Sequence, residues 1–198
     1  MDTIDTFKSA LDSFFTSEHC NGYLKDEDDF QEKAALYLID KGYNIMRELH
    51  IEAADWPLIK SELKQDYIEI DLVAYKDGLF FPVELKFQNK EQSDHVTEEV
   101  WEHDKDKVRL LYKTFTDIPN TRLRFLSNDA RAWKRFERYD WTEVKNTSSQ
   151  NPFKYIWRWW HDELHDSKDS FVRFWNNSAQ SRIDKKTEKK GDNLCIVK

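Results

Sequence analysis

The chain has 198 residues, enough for one sizeable domain with an appendage. Its net charge is −7, 35% of its residues are charged and only 4 are Gly, which excludes a Gly-rich low-complexity chain; no apolar run approaches the roughly 20 residues of a membrane span. Cys20 and Cys195, near opposite ends, exclude a disulfide framework and a zinc cage, and with an acidic N-terminus that lacks a basic leader they predict a chain of the reducing cytoplasm.

Phe7, Leu11 and Phe14-Phe15 recur at near-helical spacing and predict a short amphipathic helix in an N-terminal segment, residues 1–25. Asn21-Gly22 breaks it. Acidic residues from Asp26 to Asp29 then open a second helix, favoured by the positive end of its dipole, and Gly42 stops it. Glu32, Leu36 and Ile39 follow helical spacing, so the pattern sets Glu32 on an apolar stripe, where a carboxylate needs a partner. The alternative is a snorkelling glutamate at the helix start. Residues 43–52 read as the first strand, and 53–65, with Trp56-Pro57, as a connection.

Residues 67–88, YIEIDLVAYKDGLFFPVELKFQ, organise the rest. Asp-Gly between two β-type runs is a strong hairpin signal, because a type I′ turn needs positive φ at both central positions. With Asp77-Gly78 as the loop, Lys76 faces Leu79, Ala74 faces Phe81 and Leu72 faces Val83. The same register sets Asp71 opposite Glu84 and Glu69 opposite Lys86. Alternation gives one face of Ile68, Ile70, Leu72, Ala74, Phe81, Val83, Leu85 and Phe87, all apolar, and one that carries Glu69, Asp71, Glu84, Lys86 and Gln88. Facing carboxylates repel, and a divalent cation is the usual means of offsetting that. Two carboxylates completed by water and a substrate phosphate suit Mg²⁺. Pro82 has no N–H for a ladder bond, so its nitrogen is expected at a bulge or a non-bonding position.

A helix over residues 94–115 follows, with Val96, Val100, Val108, Leu111 and Phe115 on one stripe that Asp104 interrupts. Asp104 caps, pairs with a basic group under the site, or marks the stripe's boundary. Asp117-Ile118-Pro119 ends the helix. Residues 122–126 read as a strand parallel to the one that carries Glu84-Leu85-Lys86, since the connection between them is helical. Ser127-Asn128-Asp129 caps a further helix through Trp133 and Phe136.

Asp71, followed after twelve residues by Glu84-Leu85-Lys86, resembles the PD-(D/E)xK nuclease signature, with Ile70 where the family's name-giving proline would stand. The element order α-β-β-β-α-β-α is similar to that superfamily's core. The resemblance implies an α/β, restriction-endonuclease-like fold, with its core over residues 26–146. It also implies that Asp71 and Glu84 bind Mg²⁺ or Mn²⁺, with Glu32 and the Leu85 carbonyl completing the metal site, and that Lys86 assists the attacking water. Asp71, Glu84, Lys86 and Glu32 are then the catalytic set, and the reaction is hydrolysis of nucleic-acid phosphodiesters, DNA above RNA.

Residues 105–158 hold 13 Lys/Arg against 6 Asp/Glu, so a basic surface can stand beside an acidic metal site despite the net charge. Residues 147–180 carry four of the eight Trp and read as a Trp-rich helical addition; its rings would pack on the core, stack on bases or form a homodimer. Residues 181–198 read as a charged flexible tail. No HExxH, Walker loop or GxSxG motif occurs. Two alternatives stand beside the nuclease. One is a catalytically silent nuclease fold that binds DNA or protein. The other is an interaction module working through its tryptophans.

Overall fold

The computed structural model describes residues 4–14, 17–20, 24–88, 98–119, 123–127, 142–145, 154–160 and 168–188; for 86–88, 98–102, 123–127, 142–145, 154–160 and 183–188 it describes the backbone alone. It is a mixed α/β structure. In chain order the elements are α1 (Ile4–Ser13), α2 (Glu27–Asp40), β1 (Asn44–Glu52), one π turn (Ile59–Leu63), β2 (Tyr67–Lys76), β3 (Leu79–Val83), β4 (Leu85–Gln88), α3 (Glu98–Thr114), β5 (Leu123–Ser127), β6 (Thr142–Lys145), β7 (Lys154–Trp160) and α4 (Val172–Glu188). Among the described residues no helix is long and apolar enough to cross a membrane. The expected helix through Trp133 and Phe136 lies outside the described residues.

Local chemistry explains the element ends. The Asp26 carboxylate accepts the Asp29 N–H at 2.9 Å and caps α2, whose first turn adds Glu27, Asp28 and Asp29 at the dipole's positive end. At the other end Gly42, at φ 82°, lets its own N–H reach the Ile39 carbonyl (2.9 Å) and the Tyr43 N–H reach Leu38 (3.1 Å). These are the two bonds of a Schellman stop. Asp77 and Gly78 have φ of 52° and 84°, the type I′ turn expected from Asp-Gly, and the register Leu72–Val83, Ala74–Phe81, Lys76–Leu79 is the one the sequence predicts.

The strands form two sheets, in the orders β1-β2-β3 and β4-β5-β7-β6. The first is antiparallel; in the second β4 pairs parallel to β5, as expected, and β7 pairs antiparallel to both β5 and β6. Only Glu84 separates β3 from β4, so the chain passes from one sheet to the other across a single residue. Pro82 pairs with Val73 on β3, the edge of its sheet. Two residues earlier the Phe80 N–H points away from β2, to the Asp117 carbonyl at 2.8 Å. By alternation the Pro82 nitrogen faces the same way, so no β2–β3 bond is lost.

Two cores flank the first sheet. One joins Phe7 and Leu11 of α1, Phe30, Ala34 and Leu38 of α2, and Leu72, Ala74, Phe81, Val83 and Leu85. The other joins Met46, Leu49, Ile51, Trp56, Ile68, Ile70, Val73 and Phe80 to Leu110 and Leu111 of α3, Phe115 just after it, Phe171 just before α4 and Phe174 within it. The single apolar hairpin face predicted from alternation is therefore divided: Ile68 and Ile70 belong to one core, Leu72 and Ala74 to the other. The change falls at Asp71. In the β1–β2 register Glu48 lies opposite Asp71 but is left out of the pairing, between Arg47–Leu72 and Leu49–Ile70, with its backbone at φ 51°. That left-handed residue switches the buried positions of β1 from Met46 to Leu49 and Ile51.

Three expectations are corrected. The buried face of α2 is Phe30, Gln31, Ala34, Ala35, Tyr37 and Leu38, while Leu36 and Ile39 are 47% and 48% exposed. The stripe drawn through Glu32 is the solvent side. The Trp-rich segment is not wholly helical, since Lys154–Trp160 is a strand. Its dense aromatic content suits a pleated surface, and it pairs on both edges, with β5 and with β6. The charged tail is helical as far as Glu188, because α4 starts on a buried Phe171/Phe174 anchor and carries the polar residues on from it.

Asp117 fastens α4 to the sheet. Its carbonyl takes the Phe80 N–H, and its carboxylate accepts from the Ser170 hydroxyl (2.6 Å), the Phe171 N–H (2.7 Å) and the Val172 N–H (3.3 Å). The side chain thus satisfies donors at the start of α4 from another element. Asp117→Ala is expected to lower unfolding stability by about 1–2 kcal/mol, read as a lower urea midpoint at unchanged slope.

Candidate active site

The β2–β3 ladder ends at Leu72–Val83, so the extended pairing of Asp71 with Glu84 and of Glu69 with Lys86 is not made by strand hydrogen bonds. Where β4 turns away to join β5, the Asp71 carboxylate accepts the Leu85 N–H at 2.6 Å. This side-chain bond replaces the missing rung and holds Asp71 beside the Glu84–Leu85 peptide.

Glu84 is 1% exposed. Its counter-charge comes from α3: the Lys107 ammonium forms an ion pair with Glu84 Oε2 at 2.5 Å and donates a hydrogen bond to the Glu69 carbonyl at 2.7 Å. Asp104, one helical turn earlier and also buried, approaches the same ammonium at 3.7 Å, and His103 Nδ1 lies 3.6 Å from Asp104. Burial by itself would lower the Lys107 pKa, but the charges of Glu84 and Asp104, the hydrogen bond to Glu84 and the charge of Asp71 outweigh it and hold the group above the usual lysine value of 10.5. Three carboxylates therefore act on one ammonium at the junction of the two sheets.

The sequence-derived residues divide accordingly. Asp71, Glu84 and the backbone of Leu85 come together. Glu32 does not join them, being exposed on the outer face of α2; Gln31, 4% exposed, is the polar side chain that the helix turns inward. Lys86 lies on β4 opposite Phe125 of β5; its side chain, like that of Gln88, lies outside the described residues. Lys107 was missed. The signal for it was Asp104: a buried acid interrupting an apolar stripe calls for a base three or four residues away.

Among the described residues no group of three or more His, Cys, Asp or Glu side chains is arranged to hold a metal ion. A magnesium site needs less, since one or two carboxylates with water and phosphate suffice. Asp71, Glu84 and the Leu85 carbonyl match that hard-oxygen chemistry, and the cluster already demands a cation, which Lys107 supplies.

A cleft of about 330 Å³ opens on this cluster, lined by Gln65, Tyr67 and Glu69 of the β2 approach and by His103 and Lys107 of α3. A larger groove of about 570 Å³ lies along α3, between Leu58 and Leu63 on one side and Arg109, Leu110 and Lys113 on the other; it touches none of Asp71, Glu84 or Lys107.

Lys107→Met keeps an unbranched side chain one atom shorter and deletes its charge, leaving buried Glu84 and Asp104 without the ammonium. A loss of about 3–5 kcal/mol in unfolding stability is expected at pH 7. The folded-state pKa of Lys107 lies above its unfolded value, so its stabilisation is complete below pH 10.5 and is lost as pH rises through the folded value. Urea titrations of both proteins should therefore show a constant gap near neutrality that closes only in the alkaline range.

Comparison with known proteins adds no assignment to this geometry: no family model, no curated protein and no solved structure matches the chain.

Proposed function

We propose that this protein is a Mg²⁺- or Mn²⁺-dependent nuclease that hydrolyses nucleic-acid phosphodiesters, DNA first, on a restriction-endonuclease-like core over residues 26–146. The observation that carries the reading is the convergence of Asp71, Glu84 and Asp104 on the Lys107 ammonium where β3 passes into β4. The order α2-β1-β2-β3-β4-α3-β5, with β4 parallel to β5, supports it. Asp71, Glu84 and the Leu85 carbonyl would hold the metal. Bound there, Mg²⁺ would neutralise charge developing on the phosphate and lower the pKa of water.

The chain's own groups do the remaining work. Lys107 of α3 reaches the acidic cluster, and Lys86 of β4 is the lysine that the nuclease resemblance assigns to the attacking water. A protonated lysine beside the scissile phosphate stabilises the extra negative charge of the pentavalent state more than that of the ground state, so it acts on kcat. The Leu85 N–H fixes the orientation of Asp71.

A second reading follows from the same contact. Lys107 already compensates Glu84, so the fold needs no metal for stability, and the site can serve as a catalytically silent module that binds DNA or protein. Incubation with plasmid and with single-stranded substrates in Mg²⁺, Mn²⁺ and EDTA separates the two. The nuclease reading expects metal-dependent cleavage by wild type, abolished in Glu84→Gln, with Asp71→Asn shifting the metal requirement upward. Lys86→Ala and Lys107→Met then assign the lysine: the one that acts in turnover loses kcat, and Lys86→Ala should melt within a few degrees of wild type. Absence of cleavage in every metal would leave the silent module.

A further inference from the structure

The 330 Å³ cleft is lined by one ring of an aromatic pair that the proposed chemistry does not use. Tyr67, the first residue of β2, stacks on His50 of β1 with ring centroids 4.7 Å apart and planes 24° from parallel. His50 is held in that position: its Nε2 lies 2.7 Å from Glu52 Oε1 and its Nδ1 3.9 Å from Glu69 Oε1. Tyr67 is nevertheless 51% exposed, and it lines the same cleft as Lys107. A ring braced on one side and open beside a charged cleft is a stacking platform, because its orientation is set before anything lands on it.

We propose that Tyr67 stacks an unpaired nucleobase, which makes single-stranded polynucleotide, or a strand opened at its end, the substrate class of this site. The inference deepens the nuclease reading and rests on it for the identity of the ligand. Within a duplex both faces of a base are covered by its neighbours and only the edges are offered, so an aromatic platform can engage only a base that has left the stack. The cleft is of the size of a small-ligand site, for which about 300 Å³ is the lower bound. Of the acids that line it, Asp66 is paired with Lys60, while Glu69 disfavours phosphate and suits the N–H donors of a base edge. The base would therefore enter the cleft and leave its phosphate outside, away from Glu69.

The test uses the full-length protein in EDTA, with fluorescein-labelled oligo-dT, oligo-U and a DNA duplex of equal length, read by fluorescence anisotropy. Tyr67→Ala is expected to weaken binding of the single strands about ten- to a hundred-fold and to leave duplex binding where it was. Tyr67→Phe, which keeps the ring and loses the hydroxyl, restores single-strand binding, and this separates stacking from loss of fold. The ratio between the dT and U arms tells DNA from RNA. The proposal is overturned if Tyr67→Ala binds single strands as wild type does, if it loses single strand and duplex equally, or if wild type binds no single strand. Cleavage assays keep the two readings apart. Tyr67-dependent binding without metal-dependent cleavage sinks the nuclease and keeps the platform. Cleavage that needs Glu84 but has the same KM in Tyr67→Ala keeps the nuclease and sinks the platform.

Discussion

Glu84 is a carboxylate removed from water at the one residue where the chain changes sheets, and the structure around it follows from its need for a counter-charge. A lone buried carboxylate is costly enough to protonate or unfold its surroundings. Lys107 answers it, and the contact also ties α3 to the strand junction; the second bond of the ammonium, to the Glu69 carbonyl, ties the helix to β2 as well. Burial of such a pair gains little over a well-packed apolar pair. What it adds is position: α3 must sit where Lys107 reaches both Glu84 and the backbone of β2. Asp104 and Asp71 then share a field that keeps the ammonium charged.

The same few residues explain why the first sheet can be covered on both sides. A regular β1–β2 pair would send alternate residues to fixed faces throughout its length. The left-handed backbone at Glu48, opposite Asp71, breaks that parity, so that the ends of the strands serve different cores. A backbone of this kind costs of order 1–3 kcal/mol and persists only where its surroundings determine it. Here it coincides with the point where Asp71 leaves the ladder to take the Leu85 N–H. Strain, the break in pairing and the acidic cluster therefore fall together.

The face of β2 and β3 toward α3 and α4 shows why composition understated the core. Val73 and Phe80, on the side that alternation marked as polar, are buried under Phe171, Phe115 and Trp175. Much of that cover comes from α4, ninety residues farther along the chain and positioned by the Asp117 carboxylate. A surface that looks solvated in the isolated hairpin becomes interior once a distant helix is docked. The polar residues left on that side, Glu84 and Asp104, are then the ones that need partners.

The amino-acid sequence by itself determined the features that depend on neighbours in the chain. Asp77-Gly78 permits only a tight turn with positive φ, and that turn sets the hairpin register. The acidic start of α2 and its glycine stop are likewise local, as is the parallel pairing of β4 with β5, which any helical crossover between them requires. The approach of Asp71 to the Glu84–Leu85 peptide was legible because a hairpin converts sequence spacing into proximity. Tertiary structure alone decided the rest. Which side of α2 is buried depends on what lies beneath it: Glu32, Leu36 and Ile39 satisfy helical spacing as well as Phe30, Ala34 and Leu38 do, and only docking on the sheet chooses between them. That the tryptophan run 154–160 is a strand depends on β5 and β6 offering it edges on both sides. The base at the centre of the acidic cluster lies on another element, twenty-three residues from Glu84, and periodicity cannot say which lysine on α3 turns inward; the electrostatic demand of a buried carboxylate made that choice only once the helix was in place.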